Sequence, residues 1–569
     1  MHKYYLLKKV QQYIETSIDT STDKQLENIY SIIPLNIFQT WHTLDLPLKM
    51  KENVELLKQQ NPEFKHYLYD DKMCRDFIKN NFNEDILYTF DKLKPGAFKA
   101  DLWRYCILYI NGGIYLDIKY RCCNNFKLIE LTDKEYYVKD RFCLGITGIY
   151  NALLICLPNN NILYNCIQSV VKNVKNNNYN YSSLDITGPH TMSIFFNEID
   201  MNNLNLNFDG NNILLDNNKI LNIYNEYRNE QSTFEKTKYY TSMWLEKNIY
   251  NYPILESKNI YNYTKQIIKN IMGKEILFYS GTPTIIEVLN DKYLINIRWI
   301  NYSYNYDGSK KNIPQQWISL NSRFIIDLSF NKINEEIFLE EDFEKEKYFD
   351  GIGLEDIRIF NYLEKYYYIA TYFDHKRQIT SVSSNEYNIY DLSYNLNKTI
   401  ILPQMYNLTK IKQSEKNWSF VNYKNELCII YMWFPLQICK INYKTNKINI
   451  IEIKYNIPDY FNNARGSTCG YEYNNEIWFV LHKAQQYNNI KTKYNYQHFF
   501  AVFDLEMNII RYSELFKLGN CTVEFCIGLI IKNDNMILSY SLLDTECIIA
   551  EYDINYINTK IKWYSNNIL

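Results

Sequence analysis

The sequence is short of net charge, of glycine and alanine, of metal-type cysteine spacing and of any long apolar run. Sixty-two Lys and Arg face 64 Asp and Glu, so there is no electrostatic case for binding nucleic acid or an anionic membrane surface. No apolar run approaches the ~20 residues a spanning helix needs. Residues 1–30 read as a polar, helical extension without the apolar core of a signal peptide. These absences predict a cytoplasmic protein with no transmembrane segment and no nucleic-acid partner. The 13 Cys are scattered, and Cys122-Cys123 is an adjacent pair rather than a C-x-x-C, which predicts reduced thiols. The excess of Asn, Ile, Lys and Tyr (55 Tyr) fits an AT-rich genome, so the tyrosine content carries no functional message.

What is present is enough apolar residue, 46% of 569, to fold two to four domains. From 31 to about 270, short strands alternate with helices: Ile37-Phe38-Gln39-Thr40-Trp41, a helix over 49–60, His66-Tyr67-Leu68-Tyr69, a helix over 98–110, and Ile114-Tyr115-Leu116-Asp117-Ile118. That alternation predicts an α/β layer structure. From 275 to 569 a polar turn followed by an aromatic-rich strand recurs five times, beginning at Tyr293, Tyr366, Leu427, Ile477 and Met536. A spacing of about 50–70 residues is that of a propeller blade, and five repeats predict an all-β five-bladed propeller.

The chemistry of the first half gathers around Asp101-Leu102-Trp103-Arg104-Tyr105 and Gly112-Gly113-Ile114-Tyr115-Leu116-Asp117-Ile118-Lys119. Asp101 and Arg104 share one helix face. The Gly-Gly stop returns the chain as a strand carrying Asp117 at its end, where ligands of open α/β sheets collect. A carboxylate there can meet a ribose or a diphosphate-bound metal. Arg104 can brace the carboxylates or neutralise a departing diphosphate. Asn151 could contact a donor sugar, Trp41 could stack on a nucleobase, and His190 could face an acceptor or be a satisfied loop histidine.

These residues resemble the DXD-containing sugar-binding glycosyltransferases, a family that includes yeast-type initiating mannosyltransferases and capsular polysaccharide transferases. Residues 33–41 are similar to its opening strand, Ile186-Thr187-Gly188-Pro189 to a Thr-Gly-Pro signature, and Ser242-Met243-Trp244 to an element that closes over the donor. The resemblance covers about 31–255. It implies a GT-A, Rossmann-like fold over 31–270, a nucleotide-sugar donor, a glycan or glycoprotein acceptor, and transfer of a hexose with retention. It also implies a divalent metal, manganese, on Asp117 or Asp101. Asp101, Arg104 and Asp117 are the implied catalytic set, and Trp41, Lys119, Asn151, Ser242 and Trp244 the donor-binding set. The motif here ends in Lys119 where the family has a second Asp, and a protonated Lys cannot ligate a cation. Three readings stay open: Lys119 neutralises the diphosphate itself, another carboxylate such as Asp101 holds the metal, or the domain is inactive.

In the second half, polar clusters sit at the start of successive repeats: Glu355-Asp356-Ile357-Arg358, Glu415-Lys416-Asn417, Arg465 and Glu524. First strands line a propeller's channel, so these residues, with Arg298 and His482, would converge on one pocket. Acids there can protonate a glycosidic oxygen and Arg can hold phosphate; equally, the charges could tie blade to blade. This half resembles the propellers of β-mannoside phosphorylases and related mannosyltransferases. Leu354-Glu355-Asp356-Ile357-Arg358 is similar to their Glu-Asp-Pro-Arg signature, and the stretch from Glu524 to Asp544 to their closing blade. That resemblance implies Asp356 as a general acid and Arg358 and Arg465 as phosphate or sugar ligands. Two alternatives to a transferase follow: a non-catalytic glycan-binding protein, or a chain whose propeller is the principal glycoside phosphorylase.

Overall fold

In a computed structural model, the described residues are 31–565 without 235–237, 290, 340–342, 344–350, 375–378, 390–395, 402–414 and 487–493. The helical extension expected over 1–30 lies outside the described residues. The chain divides into two units between Asn251 and Tyr252.

Two glycines set the threading of the first unit. Helix Gly96–Asn111 is buried without a break from Asp101 to Leu108, so it runs through the core. It stops at Gly112, with φ 59°, and Gly113 follows at φ 111°. A β-carbon on Gly113 would lie 2.7 Å from the Asn36 carbonyl oxygen, so only glycine lets the chain turn in at this point. Strand Gly113–Leu116 then enters between Asn36–Thr40, which is parallel to it, and Ile146–Cys156, which is antiparallel. The sheet has nine strands in the order Lys65–Tyr69, Asn36–Thr40, Gly113–Leu116, Ile146–Cys156, Tyr136–Cys143, Leu206–Phe208, Asn212–Leu215, Asn218–Ile223 and Tyr120–Cys122. Asp70, Asn83 and Asn160 cap three of the helices by accepting backbone N–H groups. Ile37, Ile114, Leu116, Leu153 and Ile155 pack with Leu57 into the core of this α/β unit. The strand ends at Leu116, two residues earlier than its pattern suggests, and Asp117-Ile118-Lys119 form the turn after it.

Among the described residues the second unit holds five sheets of four to six strands, the blades of a propeller, and a separate two-stranded hairpin, Ser303–Tyr304 with Lys310–Lys311; the pairing is antiparallel except between Trp317–Ile318 and Gly351–Ile352. The first strands are Lys274–Val288, Glu355–Tyr362, Ser419–Tyr423, the pair Arg465–Gly466 and Tyr471–Tyr473, and Glu524–Lys532. First strands of different blades lie against one another, as strands around a central channel do. The five aromatic-rich segments are the second strands: Lys292–Ile300, Lys365–Asp374, Glu426–Trp433, Glu476–Gln486 and Asn535–Leu542. Four of the connecting hairpins turn on two residues of positive φ: Leu363-Glu364, Lys424-Asn425, Asn474-Asn475 and Asn533-Asp534. That is the backbone of a type I′ turn, and it accounts for the polar pair in three of the four. Residues 252–270, expected to end the α/β domain, belong to this unit. Asn259–Asn262 is the outer strand of the last blade, paired with Glu546–Asp553, and Gln266–Ile271 pairs with Lys274–Val288.

Candidate functional site

In the first unit, Asp101, Arg104, Asp117 and Lys119 form one charge ladder. Arg104 lies 3.4 Å from Asp101 Oδ1 and 3.5 Å from Asp117 Oδ1, while Lys119 Nζ lies 2.7 Å from Asp117 Oδ2. Arg104 also donates to the Asn151 carbonyl at 2.6 Å and stacks on the Tyr115 ring at 4.3 Å. Asp101 accepts from Thr187 Oγ1 at 2.8 Å and Asn151 Nδ2 at 3.4 Å. Asp117 accepts from Tyr115 Oη at 2.8 Å. Burial pushes the Asp101 carboxyl above its ordinary range, against Arg104, Thr187 and Asn151. Burial works the same way on Asp117, but Lys119 and Arg104 outweigh it and hold that carboxyl below its ordinary value. Burial opposes the charge of Lys119, and Asp117 more than compensates, so the ammonium stays charged.

The propeller gathers a second cluster. Arg298 is buried and lies 2.9 Å from Asp356 Oδ1 and 3.0 Å from Glu355 Oε1, with Ser319 Oγ at 3.0 Å from its Nε. Asp544 lies beside it, accepting from Ser541 Oγ at 3.4 Å and Tyr302 Oη at 3.5 Å. Its carboxyl is raised to about 6, chiefly by burial and further by Asp356 and Glu355, with Arg298 opposing. Arg358 is buried beside this group and reaches Asn417 Oδ1 at 3.4 Å and the Ser467 and Gly466 carbonyls at 2.5 and 3.3 Å. Asp356 and Asn417 sit at left-handed φ of 54° and 63°, a backbone cost that collects at functional sites, while the left-handed pair Leu543-Asp544 is the turn of the hairpin between Asn535–Leu542 and Glu546–Asp553. The first strand is bulged at Glu355/Arg358, and so is Cys526/Gly528 in the last blade; bulges re-aim side chains.

Residues 47–137 match the glycosyltransferase sugar-binding region containing the DXD motif. This part of the chain is similar to a glycosyltransferase sugar-binding region. Over 123 residues the chain is 35% identical to an uncharacterized glycosyltransferase of Acanthamoeba polyphaga mimivirus, covering 21% of this chain and 49% of that one. Over 166 residues it is 28% identical to inositol phosphoceramide mannosyltransferase 2 of Schizosaccharomyces pombe, covering 29% and 46%. The chain thus spans about half the length of these curated relatives. Among solved structures, β-1,2-mannobiose phosphorylase from Listeria innocua aligns with 53% of this chain and 99% of its own, at 12% identity and a TM-score of 0.38. A GDP-Man-dependent mannosyltransferase from Leishmania mexicana aligns with 48% and 85%, at 10% identity and a TM-score of 0.33.

Around the sugar-binding region the other expected donor residues are spread out. Asn151 joins the ladder directly. Trp41 is half-buried, and its indole N–H finds no acceptor among the described residues. Trp244 is buried, donates to the Tyr179 carbonyl at 2.7 Å, and carries Lys247 over its ring. Ser242 is exposed on the same short helix. His190 is buried and bonded to Asp185 at 2.8 Å, the satisfied loop histidine of the two readings. Tyr105, Tyr115 and Thr187 were not singled out as site residues. Thr187 lay within the Thr-Gly-Pro signature, and the tyrosines were hidden by the high tyrosine background.

The donor set does not fit the divalent metal implied by the motif. Both oxygens of Asp117 and both of Asp101 face partners on the protein, and Lys119 stands at the position of the second Asp. Among the described residues, no group of three or more His, Cys, Asp or Glu side chains is placed to hold a metal ion.

In the propeller, Arg298, Glu355, Asp356, Arg358, Asn417 and Asp544 come together as expected from their positions. Arg465 is exposed and pairs in register with His482. His482 is buried, bonded to Ser467 Oγ at 2.7 Å, and kept neutral, first by burial and then by His498 and Arg465. Glu524 stands apart from this group. It is wholly buried and accepts the Leu518 and Gly519 N–H groups at 2.9 Å each, so it ties down a loop rather than lining the pocket. Lys310 was not anticipated: its ammonium lies 3.9 Å over the Trp317 ring, and burial lowers its pKa against the pull of Asp544 and Glu355.

Proposed function

We propose that the chain is a retaining glycosyltransferase that moves a hexose from a nucleotide-sugar donor to a hydroxyl of a glycan or glycoprotein. The observation that carries this is the buried Asp101–Arg104–Asp117–Lys119 ladder inside the matched region. Mannose is the favoured sugar, because several fungal relatives are named as mannosyltransferases. Asp117 would take the donor's ribose or sugar hydroxyls, with Asn151 beside it. Arg104 and Lys119 would face the diphosphate. In the transfer, the bond between sugar C1 and the β-phosphate oxygen breaks and its electron pair stays on that oxygen. The acceptor oxygen bonds to C1 on the same face, and its proton passes to the departing phosphate oxygen. Positive charge held in place stabilises the diphosphate as charge develops on it. Incubation with GDP-mannose, UDP-glucose and other nucleotide sugars, with manganese and separately with EDTA, should release nucleoside diphosphate from at least one donor. No release from any donor under either condition would leave a glycan-binding protein instead.

A second reading is favoured by the Arg298–Glu355–Asp356–Asp544 cluster: the propeller acts on mannosides by proton donation and phosphate or sugar binding. Asp356→Asn should then abolish turnover of a mannoside with phosphate, by about 10³-fold or more, and leave donor hydrolysis by the first unit within about twofold of wild type. Unchanged mannoside turnover would remove Asp356 from that role.

A further inference from the structure

We propose that Lys119 is a built-in counter-cation for the donor diphosphate, so that this site holds its nucleotide without a divalent metal. The proposal rests on the donor-site reading above and adds how that site is charged.

The ladder contains two carboxylates, Asp101 and Asp117, and two cations, Arg104 and Lys119, in contacts of 2.7–3.5 Å. As it stands it is neutral. A carboxylate at 119, as in the Asp-x-Asp pattern, would set three carboxylates against one cation, a shortfall of two charges that a single divalent ion makes good. Replacing that Asp by Lys alters the charge by the same amount. The substitution therefore reproduces the charge of the metal-loaded site without its metal. It also excludes the ion, since an ammonium beside Asp117 Oδ2 repels any cation approaching the same oxygen.

The placement of Lys119 suits a ligand contact. Its turn is pinned: Asn53 Nδ2 donates to the carbonyls of both Ile118 and Tyr120 at 3.0 Å, and the Tyr224 N–H donates to the Lys119 carbonyl at 3.1 Å. The ammonium stands 5.4 Å over each of the Tyr120 and Tyr150 rings, whose hydroxyls are bonded to each other at 2.9 Å. Asp117 takes one of its three N–H donors. The side chain is 13% exposed, so it is largely enclosed and held in position without being sealed off.

The test is calorimetric titration of the full chain with GDP and with UDP, in EDTA and in manganese, for wild type, K119R, K119M and K119D. Thermal melts serve as the folding control. Wild type should bind one nucleotide with a Kd that agrees within about twofold between EDTA and manganese. K119R should stay within about threefold of wild type, and K119M should weaken binding about tenfold or more in both conditions. K119D should bind only when manganese is present. Wild-type binding that appears only with manganese, or K119M binding as tightly as wild type in EDTA, overturns the proposal while leaving the donor site standing. Failure of both nucleotides in both conditions overturns the donor-site reading and the proposal with it. If K119M does not fold, the wild-type and K119R titrations still decide.

Discussion

Arg104→Ala should destabilise the first unit by about 3–5 kcal/mol and abolish donor turnover. Arg104 is 6% exposed and is the one cation that contacts both carboxylates of the ladder. Without it Asp117 keeps Lys119, but Asp101 keeps only the neutral donors Thr187 and Asn151. A buried charge stripped of its partner costs about that much, and the Asn151 carbonyl loses its 2.6 Å donor as well. Arg104→Lys separates charge from shape. A lysine head cannot span two carboxylates and a carbonyl from a stacked plane, so this variant should fold and still lose roughly 10²-fold in turnover. Urea unfolding and nucleotide release measure the two effects. An Arg104→Ala protein within 1 kcal/mol of wild type would show that the ladder does not hold Asp101 in its ionised form.

Asp544→Asn should stabilise the propeller at neutral pH and not in acid. The Asp544 carboxyl is raised to about 6 from an ordinary 3.8. A folded-state value above the unfolded one means that the folded protein binds the proton more tightly. The associated stability is present below the unfolded value and is lost as pH rises through about 6. The full shift corresponds to about 3 kcal/mol. Asp544 is only half-buried, so water screens part of that cost and about 2 kcal/mol is the expected gain at pH 7.5. At pH 4 the gain should nearly vanish, because the asparagine then replaces a carboxyl that is already protonated in the folded state. Thermal unfolding across pH 4 to 8 tests this. A pH-independent gain would mean that Asp544 is ionised throughout. A group that costs stability at neutral pH beside Arg298 is what a site kept for chemistry looks like.

The ladder was legible because it is local. Asp101 and Arg104 meet through helix spacing, and Asp117 meets Arg104 because Gly112 and Gly113 fold the next strand back beside the helix. The blades were legible for a similar reason: four of the second strands follow a two-residue turn whose left-handed backbone selects residues such as Asn474-Asn475 and Asn533-Asp534. Features set by long-range pairing were not legible. Nothing local to Asn259–Asn262 says that it pairs with Glu546–Asp553, so the boundary expected near 270 falls instead after Asn251. Glu524 opens a first strand as its neighbours in the pattern do, yet its carboxylate turns into a loop, where it accepts the Leu518 and Gly519 N–H groups. The neutralising role of Lys119 could be suspected from one letter, but its distance to Asp117 required coordinates.

The closure of the last blade also sets a timetable. Asn259 meets Glu551 across 292 residues of chain. At roughly 5–20 residues per second of synthesis, the earlier strand waits about 15–60 s for its partner to be made. The first unit has no such wait, since the nine strands of its sheet among the described residues all lie before residue 224. On the ribosome the nascent chain should thus carry a finished first unit while the ring behind it is still open, with blade edges bare until the final strands emerge. A delay or a stop codon in those last strands would leave the ring unsealed and its edges open to other chains, without touching the unit made first.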